Sequence, residues 1–594
     1  MVYDVIVAGF GTAGAVAAIS AARHGLKVLV LERGSYGGGT HTGGGVQSLY
    51  LEEPSGLLLE FEEKITGEIA SGGLFADRPE AGKHIFEREF LAADGSVRYE
   101  APVIGAVMDG KRVTGVRSLN RGRIVEDHAA LVIDSTADTV FCRSAGCEFF
   151  RGRESDGAFQ PFTNTICRFF PDKMRTPAWN FDAGRIDPHN AEAFSKMMLA
   201  SFLVHLKEDY SEHRDLAMLS DLPGIRESGH AVTETVLSFR EILDGSRDVK
   251  HPIARVNSNI DTHARDIALE SRLLQDYMTG CSLWGIELSI AVPYRVMVPR
   301  GIEGLLIAGR HIGVDHDLGH ALRMIGLMGA LGEAAGVAAY LCVKHGCAPS
   351  RIDERELASF LKTGESPAKE CAPWPDSPDA ILAGLNSGAP GRALWGARNF
   401  CSKKILRQWF DAAPDGSLLR CNAAFALALK GDSHGAAELR RMAAERDPYM
   451  PSTSRKYNHA RGYVSVYFLG RLADAASIPL IGEILADGNI AEHGYEYRTT
   501  AFRALLDIGE KHPAHRAEIA RRIRTKAEDP DWVLETRLKG TAGTMKRMDP
   551  LFRLYAAKVM KRWGFAHKIA GTMKKLPLDP HDAAMAAVRT PSSR

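Results

Sequence analysis

The chain has 594 residues, 45% of them hydrophobic and 25% charged, and its formal net charge is +1. This length predicts about two to four domains, and the near-neutral charge argues against nucleic acid or an anionic membrane as the main partner. The nine cysteines include no C-x-x-C pair, so neither a disulfide framework nor a cysteine-rich zinc site is expected.

The N-terminal residues predict a βαβ unit that binds a dinucleotide. A β-branched strand, Tyr3 to Ala8, enters the G-x-G-x-x-G motif. An alanine-rich helix, Ala13 to His24, follows, and a second strand, Lys27 to Leu31, ends at Glu32. Strand, motif, helix, strand and acid in this order are the Rossmann arrangement. Because the first strand starts so early, we expect no secretory signal peptide.

Each glycine of the motif has a physical task. Gly9 allows a tight turn, Gly11 lets the backbone approach a pyrophosphate, and Gly14 lets the helix pack closely on the strand. The helix N-terminus offers unpaired N–H groups to the phosphates. Glu32, about 20 residues further on, is placed to accept hydrogen bonds from a ribose.

The long loop after the second strand indicates which dinucleotide, FAD or NAD, is bound. Residues 32–45 read ERGSYGGGTHTGGG, which resembles the E-R-x-x-x-G-G extension of two-dinucleotide-type flavoproteins. The resemblance implies FAD rather than NAD as the cofactor. The cofactor contacts predicted in this N-terminal part are Gly9, Gly11, Thr12, Ala13, Gly14, Glu32, Arg33, Gly38, Gly39, Thr40 and His41.

His41 carries a sharper hypothesis. Thr40-His41-Thr42 resembles the Ser-His-Thr sequence in which relatives of fumarate reductase carry flavin covalently. The alternative is a histidine that only contacts the isoalloxazine or solvent, because local sequence does not fix ring geometry.

The next segment predicts a hairpin and a return to the cofactor. Ala101 to Val107 and Arg112 to Leu119 are β-rich runs around Asp109-Gly110. Ala129 to Ile133 predicts another strand, which enters Asp134-Ser-Thr-Ala-Asp138. This junction resembles the A-T-G-D element of FAD proteins, with alanine in place of the usual glycine. The cofactor contacts implied here are Val103, Thr136 and Ala137.

Residues 151–292 have more aromatic residues and fewer glycines, and we predict an inserted α+β substrate or cap domain. The charged residues of Pro223 to Ser228 either bind a polar substrate or form a solvated helix face.

A second cofactor segment follows at residues 293–365. The strand Leu305 to Ala308 runs into Gly309-Arg310, and a small-residue helix is predicted from about Ala321 to His345. Within this helix, the apolar stretch Leu327 to Val343 is interrupted by Glu333, which favours a buried helix over a membrane span. A cytoplasmic location is expected.

Several motifs of this segment resemble those of the FAD-dependent oxidoreductases related to the fumarate reductase and succinate dehydrogenase flavoproteins. They are Tyr294-Arg295, Leu-Leu-Ile-Ala-Gly-Arg310, Asp315-His316, Leu322-Arg323-Met324 and Gly332-Glu-Ala-Ala-Gly336. The resemblance covers roughly residues 1–360. It implies cofactor contacts at Gly309, Arg310, Arg323 and Met324, with the last helix directing its positive end at the flavin.

The loop from His311 to His320 contains three histidines and two aspartates after a cofactor strand. Three interpretations are open: acid/base and substrate contacts, a metal site, and ordinary loop polarity. We predict no metal and favour the first. The catalytic candidates are Arg295, His311, Asp315, His316 and His320, with Arg295 alternatively in a structural ion pair.

Residues 380–594 follow a proline-rich linker and are helical in pattern. Turns near positions 432, 474 and 511 suggest a period close to that of HEAT-type helix pairs. Stacked helix pairs expose an extended surface, so a protein partner or self-association is plausible.

The predicted fold is therefore α/β: a Rossmann-like FAD-binding domain in two parts (1–150 and 293–365), an inserted α+β substrate domain (151–292) and a C-terminal all-α helical-repeat domain (380–594). The predicted function is an FAD-dependent oxidoreductase that transfers hydride between a polar organic substrate and flavin N5. The alternative is a catalytically silent scaffold whose helices bind a partner. Modification of tRNA by a flavoprotein is disfavoured by the near-neutral charge.

Overall fold

The computed structural model describes residues 2–47, 49–72, 75, 77–168, 178–182, 185–195, 198, 216–264, 266–361, 371–455, 457–487, 497–536 and 546–576. Parts of the predicted substrate domain, including 169–177 and 199–215, and the end of the predicted helical-repeat domain, 577–594, lie outside these residues. The chain divides into two compact units. The first contains residues 1–152, 158–262 and 287–371, and the second contains residues 153–157, 263–286 and 372–594.

The strands, in chain order, are β1 Val2–Ala8, β2 Val28–Leu31, β3 Ser96–Arg98, β4 Val103–Asp109, β5 Arg112–Asn120, β6 Arg123–Asp134, β7 Phe149–Phe150, β8 Thr163–Arg168, β9 Ala178–Asp182, β10 Leu216–Leu219, β11 His230–Ala231, β12 Pro252–Ser258, β13 Leu288–Pro293, β14 Leu305–Ile307, β15 Glu535–Thr536 and β16 Lys546–Arg547.

The α-helices are α1 Thr12–Arg23, α2 Gly56–Ala70, α3 Arg78–Ala92, α4 Val140–Ser144, α5 Phe239–Asp244, α6 Arg272–Gln275, α7 His316–Gly319, α8 Ile325–His345, α9 Glu354–Phe360, α10 Pro378–Leu385, α11 Gly391–Phe400, α12 Lys403–Ala412, α13 Leu418–Leu429, α14 Ala436–Ala444, α15 Arg461–Arg471, α16 Ile478–Ala486, α17 Tyr497–Lys511, α18 Arg516–Ala527, α19 Asp549–Arg562 and α20 Ile569–Lys575.

The first unit is built on one mixed sheet of seven strands in the order β3-β2-β1-β6-β5-β4, with β14 also paired to β6. β3, β2, β1, β6 and β14 are parallel, whereas β4 and β5 form an antiparallel extension of β6. The loops after β1, β6 and β14 therefore leave the same edge of the sheet, where α/β proteins bind their ligands. This arrangement confirms the Rossmann-like fold.

Two predicted boundaries were wrong. The strand expected from Ala129 begins at Arg123, because its first half pairs with β5 and, from Glu126 on, alternates exposed with buried side chains. The helix expected from Ala321 begins at Ile325, because Met324 has an extended backbone at the N-cap. A separate short helix, α7, lies within the predicted loop.

The small residues of α8 allow it to pack closely on α1. A Cβ on Gly332 would overlap the carbonyl oxygen of Ala13, and one on Gly336 would overlap Ser20. Among the described helices, α8 alone is long and apolar enough to cross a membrane, and 89% of its most apolar window is buried inside the protein. That burial is typical of a core helix.

The second unit is mainly helical. Three of its helix pairs, α13/α14, α15/α16 and α17/α18, enclose the turns predicted near positions 432, 474 and 511. The predicted helical architecture of the C-terminal region is thus confirmed, while the assignment to HEAT repeats stays a prediction.

Candidate functional site

The glycine motif forms a turn between β1 and α1 with open space beside its second glycine. Gly9 has φ +98°, and a Cβ there would lie 2.6 Å from the Ser135 carbonyl oxygen. A Cβ on Gly14 would overlap the Gly9 carbonyl, whereas one on Gly11 would meet no described atom within 4 Å. The first and third glycines are required by packing, and the second borders space that a pyrophosphate fits.

The second glycine loop packs against this turn. The Gly38 N–H donates to the Phe10 carbonyl (2.8 Å), and the Thr12 hydroxyl donates to the Gly38 carbonyl (3.0 Å). Glu32 accepts hydrogen bonds from the Phe10 N–H and the Gly34 N–H, both at 2.7 Å. A carboxylate has about four acceptor sites, so Glu32 retains capacity for a ribose. These residues fit a dinucleotide, while the side chains of Arg33 and Thr40 are exposed.

His41 is buried and both of its ring nitrogens contact protein atoms. Nε2 lies 2.6 Å from a Glu62 carboxylate oxygen, and Nδ1 lies 3.2 Å from the Val46 carbonyl oxygen. Glu62 also pairs with Arg78. A covalent flavin bond through His41 would require one of these contacts to break.

The ends of β6 and β14 bring two further predicted segments together. The Ser135 hydroxyl donates to the Ala308 carbonyl (2.7 Å), and Arg310 pairs with Asp138. Ala137 has φ +64°, so its backbone adopts the left-handed conformation that glycine favours. The alanine in the A-T-G-D-like element therefore keeps the backbone shape of the usual glycine at some cost in strain.

The remaining cofactor candidates are more dispersed. Gly309 packs beside the His311 ring, and Thr136 donates its hydroxyl to Asp134 (2.7 Å). Met324 caps the N-terminus of α8, and Val103 is half-buried on β4, three strands from β1.

A buried polar cluster of the first unit centres on Glu227 and His316. Glu227 is fully buried, and its two oxygens lie 2.8 and 3.0 Å from Nδ1 of His316. The Gln160 N–H donates to the same carboxylate (2.8 Å), and Nε2 of His230 lies 3.5 Å from it. Burial raises the pKa of Glu227, but His316 and His230 lower it more, so the pKa lies well below its usual range. Glu227 is therefore ionised.

Arg323 joins this cluster through Gln160. Its Nε donates to the Gln160 side-chain oxygen (3.2 Å), and its Nη2 donates to the carboxylate (3.0 Å) and carbonyl (2.8 Å) of Asp261. The arginine side chain is 11% exposed. One glutamine thus links the buried Glu227–His316 pair to a permanent cation.

The structure brings two of the five catalytic candidates together and places the other three elsewhere. His316 and His320 lie together, with ring centroids 5.2 Å apart. Asp315 instead caps α7, where it accepts from the Leu318 N–H (2.7 Å) and the Phe239 N–H (2.8 Å), and burial raises its pKa. Two more candidates make other ion pairs: Arg295 with Glu234 and Glu354, and His311 with Asp134.

Three residues of the cluster were not among the candidates: Gln160, Glu227 and His230. Glu227 belongs to Pro223 to Ser228, for which substrate binding and a solvated helix face were both left open, and His230 follows three residues after Glu227. Gly319 is also needed, because a Cβ there would lie 3.1 Å from the His230 ring and 3.4 Å from the Gln160 amide. The signal was a glutamate followed by histidine within a short loop, which has no fixed meaning alone.

Comparisons with known proteins identify the family of the chain. The family model described as FAD dependent oxidoreductase matches residues 4–213 and 198–361. Two curated relatives are digeranylgeranylglycerophospholipid reductases. That of Picrophilus torridus is 31% identical over 167 residues (24% of this chain, 42% of that protein). That of Methanosarcina acetivorans is 31% identical over 157 residues (22% and 37%). The chain thus spans about two fifths of the length of these relatives.

Two solved structures are among those matched. A geranylgeranyl bacteriochlorophyll reductase-like protein from Thermoplasma acidophilum has a TM-score of 0.29 at 14% identity, covering 66% of this chain and 97% of that one. The myxobacterial chondrochloren halogenase has a TM-score of 0.29 at 13% identity, covering 79% and 97%.

Proposed function

Because the family model matches well over half of its length, the chain belongs to the FAD-dependent oxidoreductase family, and we propose that it transfers hydride between a polar organic substrate and bound FAD. The observation that carries the proposal is the buried Glu227–His316 pair, at 2.8 Å, linked to Arg323 through Gln160.

The turn at Gly9–Gly14, the loop at Gly38–His41 and the segments that follow β6 and β14 would hold the cofactor. Gly11 borders the open space for the pyrophosphate, and Glu32 offers its carboxylate to the ribose. When bound, FAD supplies the two-electron chemistry.

His316 moves the proton in this proposal. Because Nδ1 faces the ionised Glu227, the neutral imidazole carries its proton on Nδ1 and its lone pair on Nε2. Nε2 is then the atom that takes or returns a substrate proton. Glu227 stabilises the imidazolium that forms, as a buried carboxylate does for a catalytic histidine.

Arg323 orients the substrate. Its guanidinium is held at three points by Gln160 and Asp261, and it stays charged at any physiological pH. A fixed cation of this kind suits a carboxylate or another oxygen-rich group. We also propose a cytoplasmic location.

The test is an anaerobic screen of the purified, FAD-loaded protein against hydroxy acids, amino acids, polyols and an unsaturated prenyl lipid. We expect one polar class to bleach the visible flavin band. The prenyl lipid represents the substrate class named for the two curated relatives. If no polar compound bleaches the flavin band and only this lipid reoxidises flavin that was first reduced chemically, the polar substrate is contradicted. Bound FAD that exchanges electrons with no member of the screen would favour the scaffold.

A matched glycine pair tests where FAD binds. Gly11→Ala places a methyl group in open space, so the protein should fold and bind FAD at least tenfold more weakly. Gly14→Ala overlaps the Gly9 carbonyl and should lower the yield of folded protein. Unchanged FAD affinity in the folded Gly11→Ala protein would contradict the proposed pyrophosphate position.

A further inference from the structure

A carboxylate, a thiol and an imidazole meet at the carboxyl edge of the sheet in the first unit. Asp134 ends β6, Cys142 lies in α4, and His311 follows β14. One ligand atom from each lies within 4.8 Å of the other two, and all three side chains are fully buried. Nε2 of His311 lies 3.3 Å from Oδ2 of Asp134, which also accepts a hydrogen bond from the Cys142 N–H (2.9 Å).

The hydrogen bonding of this group is incomplete. Among the described residues, neither ring nitrogen of His311 has a hydrogen-bond partner, although the ring is fully buried. An unpaired buried polar group costs about 1 to 3 kcal/mol. The 3.3 Å contact to Asp134 is close enough for an ion pair but does not meet hydrogen-bond geometry. Asp134 already accepts hydrogen bonds from Thr136 and from the Cys142 N–H, so the unmet need is that of the His311 ring, which a cation bound at Nε2 would satisfy.

The donor atoms suit zinc. A thiolate, an imidazole nitrogen and a carboxylate oxygen bind Zn²⁺ at about 2.0 to 2.3 Å, which places tetrahedral donors roughly 3.3 to 3.7 Å apart. The His311–Asp134 separation of 3.3 Å lies at the short end of this range, and the two separations to the Cys142 sulfur are at most 4.8 Å. We propose that Asp134, Cys142 and His311 bind one structural Zn²⁺ ion, which displaces the Cys142 thiol proton to solvent.

Cys147 could be the fourth ligand only if its thiol moved, because among the described residues the group with ligand atoms within 4.8 Å of one another contains Asp134, Cys142 and His311 alone. It is buried, its N–H donates to the Cys142 carbonyl (2.9 Å), and its thiol interacts with that of Cys142. Structural zinc sites are almost always four-coordinate and closed to solvent, and this neighbour lies within the same helix-end turn.

A second cysteine pair shows that the turn alone does not make the site. The Cys347 N–H donates to the Cys342 carbonyl (3.1 Å) beyond Gly346 at φ +60°, just as Cys147 and Cys142 flank Gly146 at φ +82°. Both are helix ends closed through a left-handed glycine. Within the described residues, a metal-ligand cluster with carboxylate and imidazole forms at Cys142 and not at Cys342.

Zinc coordination at this site would cross-link the segment that follows β6 to the segment that follows β14. The segment from Asp134 to Cys142 contains Thr136 and Ala137, and His311 directly follows Gly309 and Arg310. Zinc would therefore fasten the two cofactor-binding segments of the first unit to each other. This inference is independent of the proposed hydride transfer.

The test begins with the full-length, FAD-loaded protein, expressed with added zinc, dialysed and measured for metal by mass spectrometry. We expect about one zinc per chain, as for a structural site. Cys142→Ser and His311→Ala should each reduce the content at least tenfold, and Cys342→Ser should retain it. Folding of each variant is checked by FAD content and circular dichroism.

Cobalt substitution tests the ligands without a variant. Co²⁺ in a tetrahedral site with a thiolate ligand gives strong d–d absorption at wavelengths longer than those oxidised flavin absorbs. We expect these bands in the parent protein and in Cys342→Ser, and their loss on zinc addition. A parent protein that takes up neither metal would overturn the proposal, and so would a folded Cys142→Ser variant with the parent's metal content.

Discussion

Two buried histidine–glutamate pairs in the first unit have almost the same contact length and different surroundings. Nε2 of His41 lies 2.6 Å from Glu62, and Nδ1 of His316 lies 2.8 Å from Glu227. His41 uses its other nitrogen on a backbone carbonyl, and Glu62 has an additional partner in Arg78. Glu227 instead faces two histidines and a backbone N–H.

The comparison indicates that the residues around a histidine–glutamate pair determine whether the pair is structural or available for catalysis. Around His41, the second nitrogen is held and the carboxylate is neutralised by an arginine, which favours a structural pair. Around His316, the Glu227 carboxylate contacts Nδ1 and also accepts from the Gln160 N–H, and the Gln160 side chain in turn accepts from Arg323. Each prediction below changes one pair while the other serves as its control.

The largest expected effect is on turnover. His316→Asn removes the proposed proton acceptor, so the rate of flavin bleaching by the donor found in the screen should fall about 10²- to 10⁴-fold with FAD still bound. His41→Asn, assayed at saturating FAD, should lose less than about tenfold. Stopped-flow spectroscopy of both variants measures this, and equal losses would contradict the assignment of separate roles.

The next effect is on stability and its pH dependence. The pKa of Glu227 is lowered in the folded protein, so its contribution is complete above the unfolded pKa of about 4.3 and is lost as pH falls further. Glu227→Gln should cost about 3 kcal/mol at neutral pH, and the cost should shrink below about pH 4.

The control for this effect is Glu62→Gln. Burial raises the pKa of Glu62, but His41 and Arg78 lower it more. The contribution of Glu62 to stability is therefore also lost as the pH falls, as for Glu227. Because the Arg78 side chain is 31% exposed, solvent screens part of the interaction and the cost should be smaller. Urea unfolding followed by flavin fluorescence at several pH values compares the two variants, and a pH-independent Glu227→Gln cost would argue against an ionised Glu227.

A smaller effect on stability is expected from Arg78, the cation that pairs with Glu62 beside His41. Arg78→Met removes the partly exposed partner of Glu62 and should lower the free energy of unfolding by about 1 kcal/mol or less. Turnover should stay near the parent rate, since His316 and Glu227 are untouched. A large loss of turnover in this variant would place the Glu62 pair in the reaction.

For covalent attachment of flavin to His41, we expect no effect at all. Because both nitrogens of His41 contact protein, we expect acid precipitation to release all yellow colour to the supernatant. Intact-mass analysis should then show no flavin-sized adduct on the parent or on His41→Ala. Colour retained in the parent pellet and lost in the variant would establish the covalent bond.

The N-terminal unit was predictable because its signals are local. The turn at Gly9, the helix behind it and the hairpin at Gly110 are each encoded within a few residues, and the structure has all three. Within residues 1–150 the start of β6 was missed, because its first half alternates exposed and buried side chains along β5 and contains no hydrophobic run.

The candidate site was less predictable because its contacts are distant in sequence. Glu227 and His316 are 89 residues apart, and Gln160 and Arg323 are 163 apart. The histidine-rich loop could be recognised, but its partners could not. Asp315 is a case in which the sequence suggested a catalytic residue and the structure shows a structural role, because its carboxylate caps the short helix α7.

The close packing of α1 on α8 has a consequence for synthesis in the cell. The Ser20 hydroxyl donates to the Glu333 carbonyl, 313 residues later in the chain. At about 5 to 20 residues per second, the ribosome needs roughly 15 to 60 s to deliver that partner. Throughout this interval the side of α1 that α8 covers in the folded protein lacks that partner, although β1, β2 and α3 are already available to the rest of the helix.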